Sequence, residues 1–402
     1  MAIFAVILLN PILFGVSIAS RNQSIFSLLT PLIALGTLLC AFARRAALRM
    51  DFLDFAILAF LIFFFVRNID GPENAAVIKF VTYGGCLYYL AAIVVQNRKT
   101  FNILIIAIVL ISATAIIYGF IEYAVQYNFL FPNHSNLQPS NTIHRIGSTL
   151  SQPVLFGAFL VQAFPYIFLL SFSNQLWWRS LAITTFIWAF AALLLTYSKG
   201  SWIAVALISA ASFIYLVRSG IKKIGPIFGV VIICLAIVAA FWNQAYNDIS
   251  VRMTSSIGDR LVTWDGASKG ISDNLFMGVG FRRGGDIMNT YLESGWNKNL
   301  IDNTYLSIFM EQGLLGFSLW MIILGTTIVY GIRASRIKSG TQLWALAALA
   351  SVTGFLINSF TFDAYLVWAN IALFWISVGI IRGIYQPDSN IDKTEDIQKQ
   401  LT

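Results

Sequence analysis

The polar segment from Arg260 to Gly316 concentrates the residues that could do chemistry in an otherwise apolar chain. It combines arginines, carboxylates and several glycines, although only 11% of the whole sequence is charged. Arg260 precedes apolar residues at the spacing of one helical face, which are Leu261, Trp264, Ala267 and Ile271. The pattern predicts an amphipathic surface helix whose first turn presents Arg260 toward the rest of the fold.

Asp302 is at the last polar step before a long apolar run that begins at Thr304. One interpretation is a helix N-cap, because Asp and Asn side chains accept hydrogen bonds from the free N–H groups of a first turn. The other is a general base, since partial burial would raise the pKa of the carboxyl toward a catalytically useful value. The sequence leaves both interpretations open.

Two further cations lie at boundaries of apolar runs. Lys199 occupies a very short turn between two such runs, where it could extend to lipid headgroups or bind a phosphate. Arg145 lies in a polar loop that re-enters the apolar region before Pro153 and Gly157. We expect Arg145, Lys199, Arg260 and one of the pair Arg282 and Arg283 to converge on one face of the fold.

Such a convergence of cations suits a pyrophosphate, because the planar guanidinium bonds phosphate oxygens in a bidentate manner. The sequence has no paired Asp-x-Asp, no His-Cys cluster and no Walker loop, so we predict no metal and no cofactor. Gly278 and Gly280 lack a preceding βαβ unit and therefore predict a tight turn rather than a dinucleotide site.

The elements that must position these residues are membrane helices. The chain has 402 residues, of which 58% are hydrophobic, and its mean hydropathy is +0.76. Apolar runs recur at about 20 residues, the length that crosses a hydrocarbon core about 30 Å thick. We therefore predict an all-α, polytopic membrane helix bundle of about twelve spans. These are placed at about 3–20, 23–42, 52–66, 76–95, 101–125, 151–172, 176–196, 200–217, 224–243, 304–332, 342–361 and 365–384.

Lysines and arginines are concentrated in alternate loops, and the positive-inside rule assigns those loops to the cytoplasm. Both termini are then cytoplasmic, and the loops at about 126–150 and 244–301 lie on the opposite side. Residues 1–384 form a single transmembrane catalytic domain, and 385–402 form a polar, disordered tail. The net charge of +8 follows from the same rule, so it does not predict a nucleic-acid partner.

Several motifs resemble those of the O-antigen ligase and polymerase superfamily. The matching pieces are Arg145 to Gly157, Ser198-Lys199-Gly200-Ser201, Arg260-x-x-x-Trp264, Asn274 to Gly280, and Asp302-Asn303-Thr304-Tyr305-Leu306 followed by Glu311-x-Gly313-Leu314-Leu315-Gly316. Their order and spacing cover about 140–320. The last motif adds Asn303 and Tyr305 to the candidate substrate-binding residues.

The resemblance implies a twelve-helix, GT-C-like bundle with a large periplasmic loop, in the bacterial inner membrane. It also implies metal-independent, inverting transfer of a glycan from a polyprenyl (undecaprenyl) pyrophosphate to an acceptor sugar hydroxyl. Ligases of the family usually carry Arg at the position of Lys199 and His at that of Asp302. These two departures favour a polymerase of O-antigen or exopolysaccharide repeats over a ligase, with a chain-length regulator as a further partner.

Two alternatives remain at this point. A ligase would join the finished glycan to lipid A–core, or to protein, with the same residues. A transporter without catalysis would be expected to place ionisable residues at mid-membrane depth, where the sequence offers only Glu122 and Asp54 near spans.

Overall fold

The computed structural model describes residues 50–131, 144–218, 258–292, 300–337 and 341–385. The predicted spans 3–20, 23–42 and 224–243 lie outside the described residues, as does the tail from residue 386 onward. So do parts of the two long loops. The described residues form helices joined by turns, which confirms the predicted all-α class.

The helices are numbered here in chain order along the described ranges. They are α1 (Phe52–Asn68), α2 (Asn74–Val94), α3 (Arg98–Val125), α4 (Pro153–Leu170), α5 (Leu176–Leu195), α6 (Lys199–Arg218), α7 (258–273), α8 (Gly284–Asn289), α9 (Thr304–Arg336), α10 (Gln342–Asn358) and α11 (Trp368–Tyr385). Short 3₁₀ turns at Ser148–Leu150 and Ala364–Leu366 precede α4 and α11.

Nine predicted spans correspond to the helices α1–α6 and α9–α11, with ends that differ by a few residues. Within the described ranges, six of these helices are long and apolar enough to cross a membrane: α2, α3, α4, α5, α9 and α11. The apolar parts of α6 and α10 are shorter. Since a spanning helix satisfies its own backbone hydrogen bonds, such segments are suited to hydrocarbon.

Helix α11 lies at the centre of the bundle, and 89% of its 18 residues are buried. It packs on α2, α4, α9 and α10. Gly379 and Gly383 allow the closest approach, because a Cβ at either position would overlap a carbonyl oxygen of α2, at Tyr88 or Ala92. Small residues bring membrane helices together in this way because they let the backbones touch.

A buried ion pair joins α1 to α11 at the end where α1 begins. The Arg382 Nη2 lies 2.8 Å from a carboxylate oxygen of Asp54, and both side chains are nearly inaccessible. The Tyr88 hydroxyl donates to the other Asp54 oxygen at 2.7 Å, and Asp51 accepts from Arg382 as well. A buried charge is tolerated when it is paired and hydrogen-bonded, so Asp54 has a structural role here.

Candidate active site

The candidate residues lie at the other end of the bundle, where α3, α5 and α10 end and where α4, α6 and α9 begin. The loop that carries Arg145 is held there by Glu122, a buried acid in the last turn of α3. Its carboxylate accepts the backbone N–H groups of Ser148 at 2.6 Å and Gly147 at 3.2 Å. Glu122 thus fixes the backbone two residues beyond Arg145.

Arg145 faces the turn between α5 and α6. Its Nε donates to the Thr196 carbonyl at 2.9 Å, and the neighbouring Ile146 N–H donates to the Leu195 carbonyl at 3.2 Å. Lys199 is the first residue of α6, three positions after Thr196. The structure therefore brings Arg145 and Lys199 to the same turn.

The beginning of α6 is locked against α4 and the turn after α10. Ser201 donates to the Asn358 amide oxygen at 3.0 Å and lies 3.0 Å from the Ser198 hydroxyl. Gly157 of α4 allows this approach, because a Cβ there would lie 2.8 Å from the Ser201 hydroxyl. The helix start that carries Lys199 is consequently held by contacts with α4 and with the end of α10.

The same turn after α10 also holds the beginning of α9. The Thr304 N–H donates to the Ser359 carbonyl at 2.8 Å, and its hydroxyl donates to the Phe362 carbonyl at 2.9 Å. The Tyr305 hydroxyl donates to the Leu356 carbonyl at 3.0 Å. Residues 356–363 are thus the common support for Lys199 on one side and for Asp302 on the other.

Asp302 is not the residue that caps α9. The N-cap is Asn303, whose side-chain oxygen accepts the N–H groups of Tyr305 at 3.0 Å and Leu306 at 3.2 Å. Asp302 itself is half-buried and has a φ of 57°, in the left-handed region that few non-glycine residues adopt. Asp adopts this region more readily than most residue types. The N-cap interpretation does not apply to Asp302, and the general-base interpretation stays a prediction.

Asp363, which the sequence gave no reason to select, supports the Asp302 backbone. Its carboxylate accepts the Ile301 N–H at 3.2 Å and the Ser307 hydroxyl. Burial raises the pKa of Asp363 to about 6; the Ser307 hydrogen bond opposes this rise, and the nearby Asp302 charge adds to it. The Asp302 carboxylate is therefore close enough to act on the ionisation of Asp363.

Arg260 approaches this site through α7. Thr263, one turn later, donates to the Arg260 carbonyl at 2.9 Å and is within 3.5 Å of the Ile301 carbonyl, next to Asp302. Ala267 and Ile271 are buried in a small apolar cluster, which contains Val279, Met288, Ile301 and Met310. The predicted amphipathic helix is confirmed apart from Leu261, which is 58% exposed because it points away from this cluster.

The glycine-containing segment makes the predicted tight turn, and it fills a break in α9. Helix α9 is interrupted at Gly313, whose φ of 66° and ψ of −170° are not helical. The Met310 and Glu311 carbonyls released by the break accept the N–H groups of Val279 and Gly280, both at 2.9 Å. Two motifs that are distant in the sequence are therefore one hydrogen-bonded unit.

Polar side chains secure that unit to α1. Arg67 donates to the Met277 carbonyl at 3.1 Å and to the Gly278 carbonyl at 2.9 Å. Asn68 accepts the Phe281 N–H at 2.8 Å and donates to the Gln312 side chain at 2.9 Å. These contacts give Arg67 a structural role, since its guanidinium holds the turn at Gly278 against α1.

Three of the four remaining candidates, Arg282, Asn303 and Tyr305, have side-chain partners within the fold. Arg282 pairs with Glu73 at 3.4 Å, at the turn between α1 and α2, while Arg283 is exposed. Asn303 and Tyr305 make the capping and packing contacts described above. Residues 356–363 therefore hold the helix starts beside Lys199 and Asp302. Arg145 lies at the turn that leads to Lys199, and Arg260 lies on the helix whose Thr263 is within 3.5 Å of the Ile301 carbonyl. Arg282, in contrast, lies beside α1 and α2.

Sequence reasoning missed Asp363 and the role of Glu122. An acid inside an apolar run was a usable signal for Glu122, but Asp363 looks like an ordinary turn residue. Within the part of the chain that the structure describes, no group of three or more His, Cys, Asp or Glu residues is placed to hold a metal ion.

The fold and the site together define an integral membrane helix bundle with cations and a carboxylate gathered at one end. Residues 184–321 match the family model described as O-Antigen ligase. The match includes Lys199, Arg260 and Asp302, and it confirms the resemblance to the O-antigen ligase and polymerase superfamily. It supports a membrane enzyme of the ligase or polymerase type. No curated protein matches the chain in a sequence comparison.

Proposed function

We propose that this protein transfers a glycan from a polyprenyl pyrophosphate donor to an acceptor sugar hydroxyl, and that it polymerises O-antigen or exopolysaccharide repeats. The observation that carries the proposal is the family match over Lys199, Arg260 and Asp302, combined with the support that residues 356–363 give to the helix starts beside Lys199 and Asp302. The active site would face the periplasm, with the protein in the bacterial inner membrane and both termini in the cytoplasm. The distribution of Lys and Arg between alternate loops supports this orientation.

In the proposed mechanism, Arg145, Lys199 and Arg260 hold the donor pyrophosphate. The half-buried position of these three side chains favours the role, since charge interactions strengthen where water is partly excluded. As the bond between the anomeric carbon and the phosphate oxygen breaks, negative charge grows on the leaving polyprenyl pyrophosphate. Cations placed in advance stabilise that charge, and removing one such group commonly costs about 10²–10³ in rate.

Asp302 would act as the general base. It would take the proton of the acceptor hydroxyl while the hydroxyl oxygen forms the new bond to the anomeric carbon. A single in-line displacement of this kind inverts the configuration at that carbon. The capping of α9 by Asn303 supports this role because it leaves the Asp302 carboxylate out of the cap.

The test is polymer length in cells that carry Asp302→Asn, with expression verified in the membrane fraction. We expect polymer to be lost because the amide cannot accept the proton. Asp265→Asn is the matched control, since Asp265 is an exposed acid on α7 whose partner is Lys269 of the same helix. Normal polymer from Asp302→Asn would refute the base assignment.

Arg260→Lys tests the phosphate contact separately. Lysine keeps the charge but lacks the planar fork, so we expect transfer to fall by about tenfold or more if two phosphate oxygens are bound together. Unchanged activity would indicate that Arg260 has a structural role only.

The second candidate is a ligase that joins the finished glycan to lipid A–core or to protein. The description of the matching family model favours it. In a purified assay with a polyprenyl pyrophosphate glycan, a polymerase lengthens the glycan on its carrier. A ligase instead moves the glycan to lipid A–core or to protein. Whether the product is on the polyprenyl carrier or on that acceptor therefore distinguishes a polymerase from a ligase.

A further inference from the structure

A cavity of about 670 Å³ opens between α4, α5, α6 and α10, at the end of the bundle opposite the candidate active site. Its deeper wall is apolar and includes Val161, Phe164, Phe168, Phe186 and Ile208. The volume lies within the range of about 300–1,000 Å³ that is usual for small-molecule sites. A cavity of this lining between membrane-length helices is suited to a hydrocarbon chain.

The rim of the cavity is polar and carries a positive charge. Arg179, in the first turn of α5, lines it together with Ser171, Ser173 and Asn174. The Arg179 side chain is exposed, and within the described ranges it makes no ion pair. The cavity therefore combines an apolar interior with one cation at its mouth.

The neighbouring residue Trp177 indicates the depth of this rim. Trp177 is 74% exposed and Leu176 is 77% exposed, at the beginning of a helix long enough to span a membrane. Exposed tryptophans of membrane proteins are concentrated at the level of the lipid headgroups. Arg179 thus lies near the depth at which phosphates of the bilayer are found.

We propose that this cavity binds one anionic phospholipid of the leaflet opposite the active site, with an acyl chain in the apolar interior and its phosphate at Arg179. The other occupants that the chain itself offers are the three predicted spans outside the described residues, 3–20, 23–42 and 224–243. Each is flanked by basic residues, Arg21, Arg44 and Lys223 among them, whose charges have the same sign as that of Arg179. Charge complementarity therefore favours an anionic lipid.

The experiment uses the full chain purified in detergent, to which phosphatidylglycerol or phosphatidylcholine with identical acyl chains is added. Native mass spectrometry measures the lipid retained. We expect the wild-type protein to retain phosphatidylglycerol preferentially. Arg179→Gln should weaken that binding about fivefold, the change expected for one basic residue at an anionic surface, and should leave phosphatidylcholine unaffected.

Two further variants make the result specific. Lys99→Gln is the matched control, since Lys99 is an exposed cation at the same end of the bundle but does not line the cavity. Ala347→Phe places a ring in the apolar wall and should reduce retention of both lipids. Equal retention of both lipids by the wild type, or an equal loss in Arg179→Gln and Lys99→Gln, would overturn the proposal. Full retention by Ala347→Phe would exclude this cavity as the site.

Discussion

The break in α9 makes Gly313→Ala the most informative single substitution for the scaffold. Gly313 has a φ of 66° and a ψ of −170°, a conformation that is essentially restricted to glycine. A Cβ at this position would overlap the Phe276 carbonyl oxygen and lie 2.6 Å from the Gly278 nitrogen. Both obstacles are backbone atoms, so no side chain can move aside to relieve the contact.

The expected cost has two parts. Forcing alanine into this backbone conformation costs about 1–3 kcal/mol. Displacing the turn breaks the hydrogen bonds from Val279, Gly280 and Leu314, which are 2.8–2.9 Å long, and each contributes about 1 kcal/mol. Together these give a loss of roughly 4–6 kcal/mol, which lowers the melting temperature by about 5–7 °C for a chain of this size.

Thermal unfolding of the detergent-purified variant, followed by tryptophan fluorescence, measures the effect. Gly325→Ala is the matched control, because Gly325 lies in the same helix and a Cβ there meets no atom within 4 Å. Its melting temperature should be unchanged or slightly higher, since alanine favours a helix interior by about 1 kcal/mol over glycine. Equal melting temperatures for the two variants would refute the account of the break.

Three further predictions concern the side chains around the site. Glu122→Gln replaces one carboxylate oxygen, which accepts hydrogen bonds from the loop that carries Arg145, with an amide NH₂ group. In a transfer assay the KM for the glycan donor should therefore rise more than kcat falls, and equal changes would contradict this positioning role. Because the folded pKa of Asp363 is raised to about 6, its stabilising contribution is present at low pH and is lost as the pH rises toward 7. Asp363→Asn should flatten the melting temperature between pH 5 and 7, and a profile parallel to that of the wild type would contradict the shift. Arg282→Gln removes an exposed pair with Glu73 and a contact with the Phe281 ring, so activity should stay within about twofold. A tenfold loss would indicate that Arg282 contributes to the phosphate site.

The helices were predictable because they depend on composition and local pattern. An apolar run of sufficient length must form its own hydrogen bonds in hydrocarbon, so α2, α3 and α11 follow from hydropathy alone. The spacing of Trp264, Ala267 and Ile271 likewise predicted α7 and its buried face. Such signals are contained within about 20 consecutive residues.

The motifs of the candidate site were visible in the sequence, but the pairing between them was not. Gly278 lies in a tight turn and Gly313 in the break of α9, and a loop and another helix separate them in the sequence. Only the folded chain shows that the turn at Gly278 fills the break at Gly313. Asp302 and Asn303 were equally good caps from sequence, and the backbone of the folded turn assigned the cap to Asn303.

What the sequence by itself determined is the membrane helix bundle and the set of cations and acids at its loops, because both follow from residue type and order. Which of those residues share a site was decided only by the tertiary structure. Residues 356–363 connect Lys199 to Asp302, and Asp363 supports the Asp302 backbone from a different helix pair. Contacts of this kind depend on how separate helices pack, and that packing leaves no periodic signal in the residues themselves.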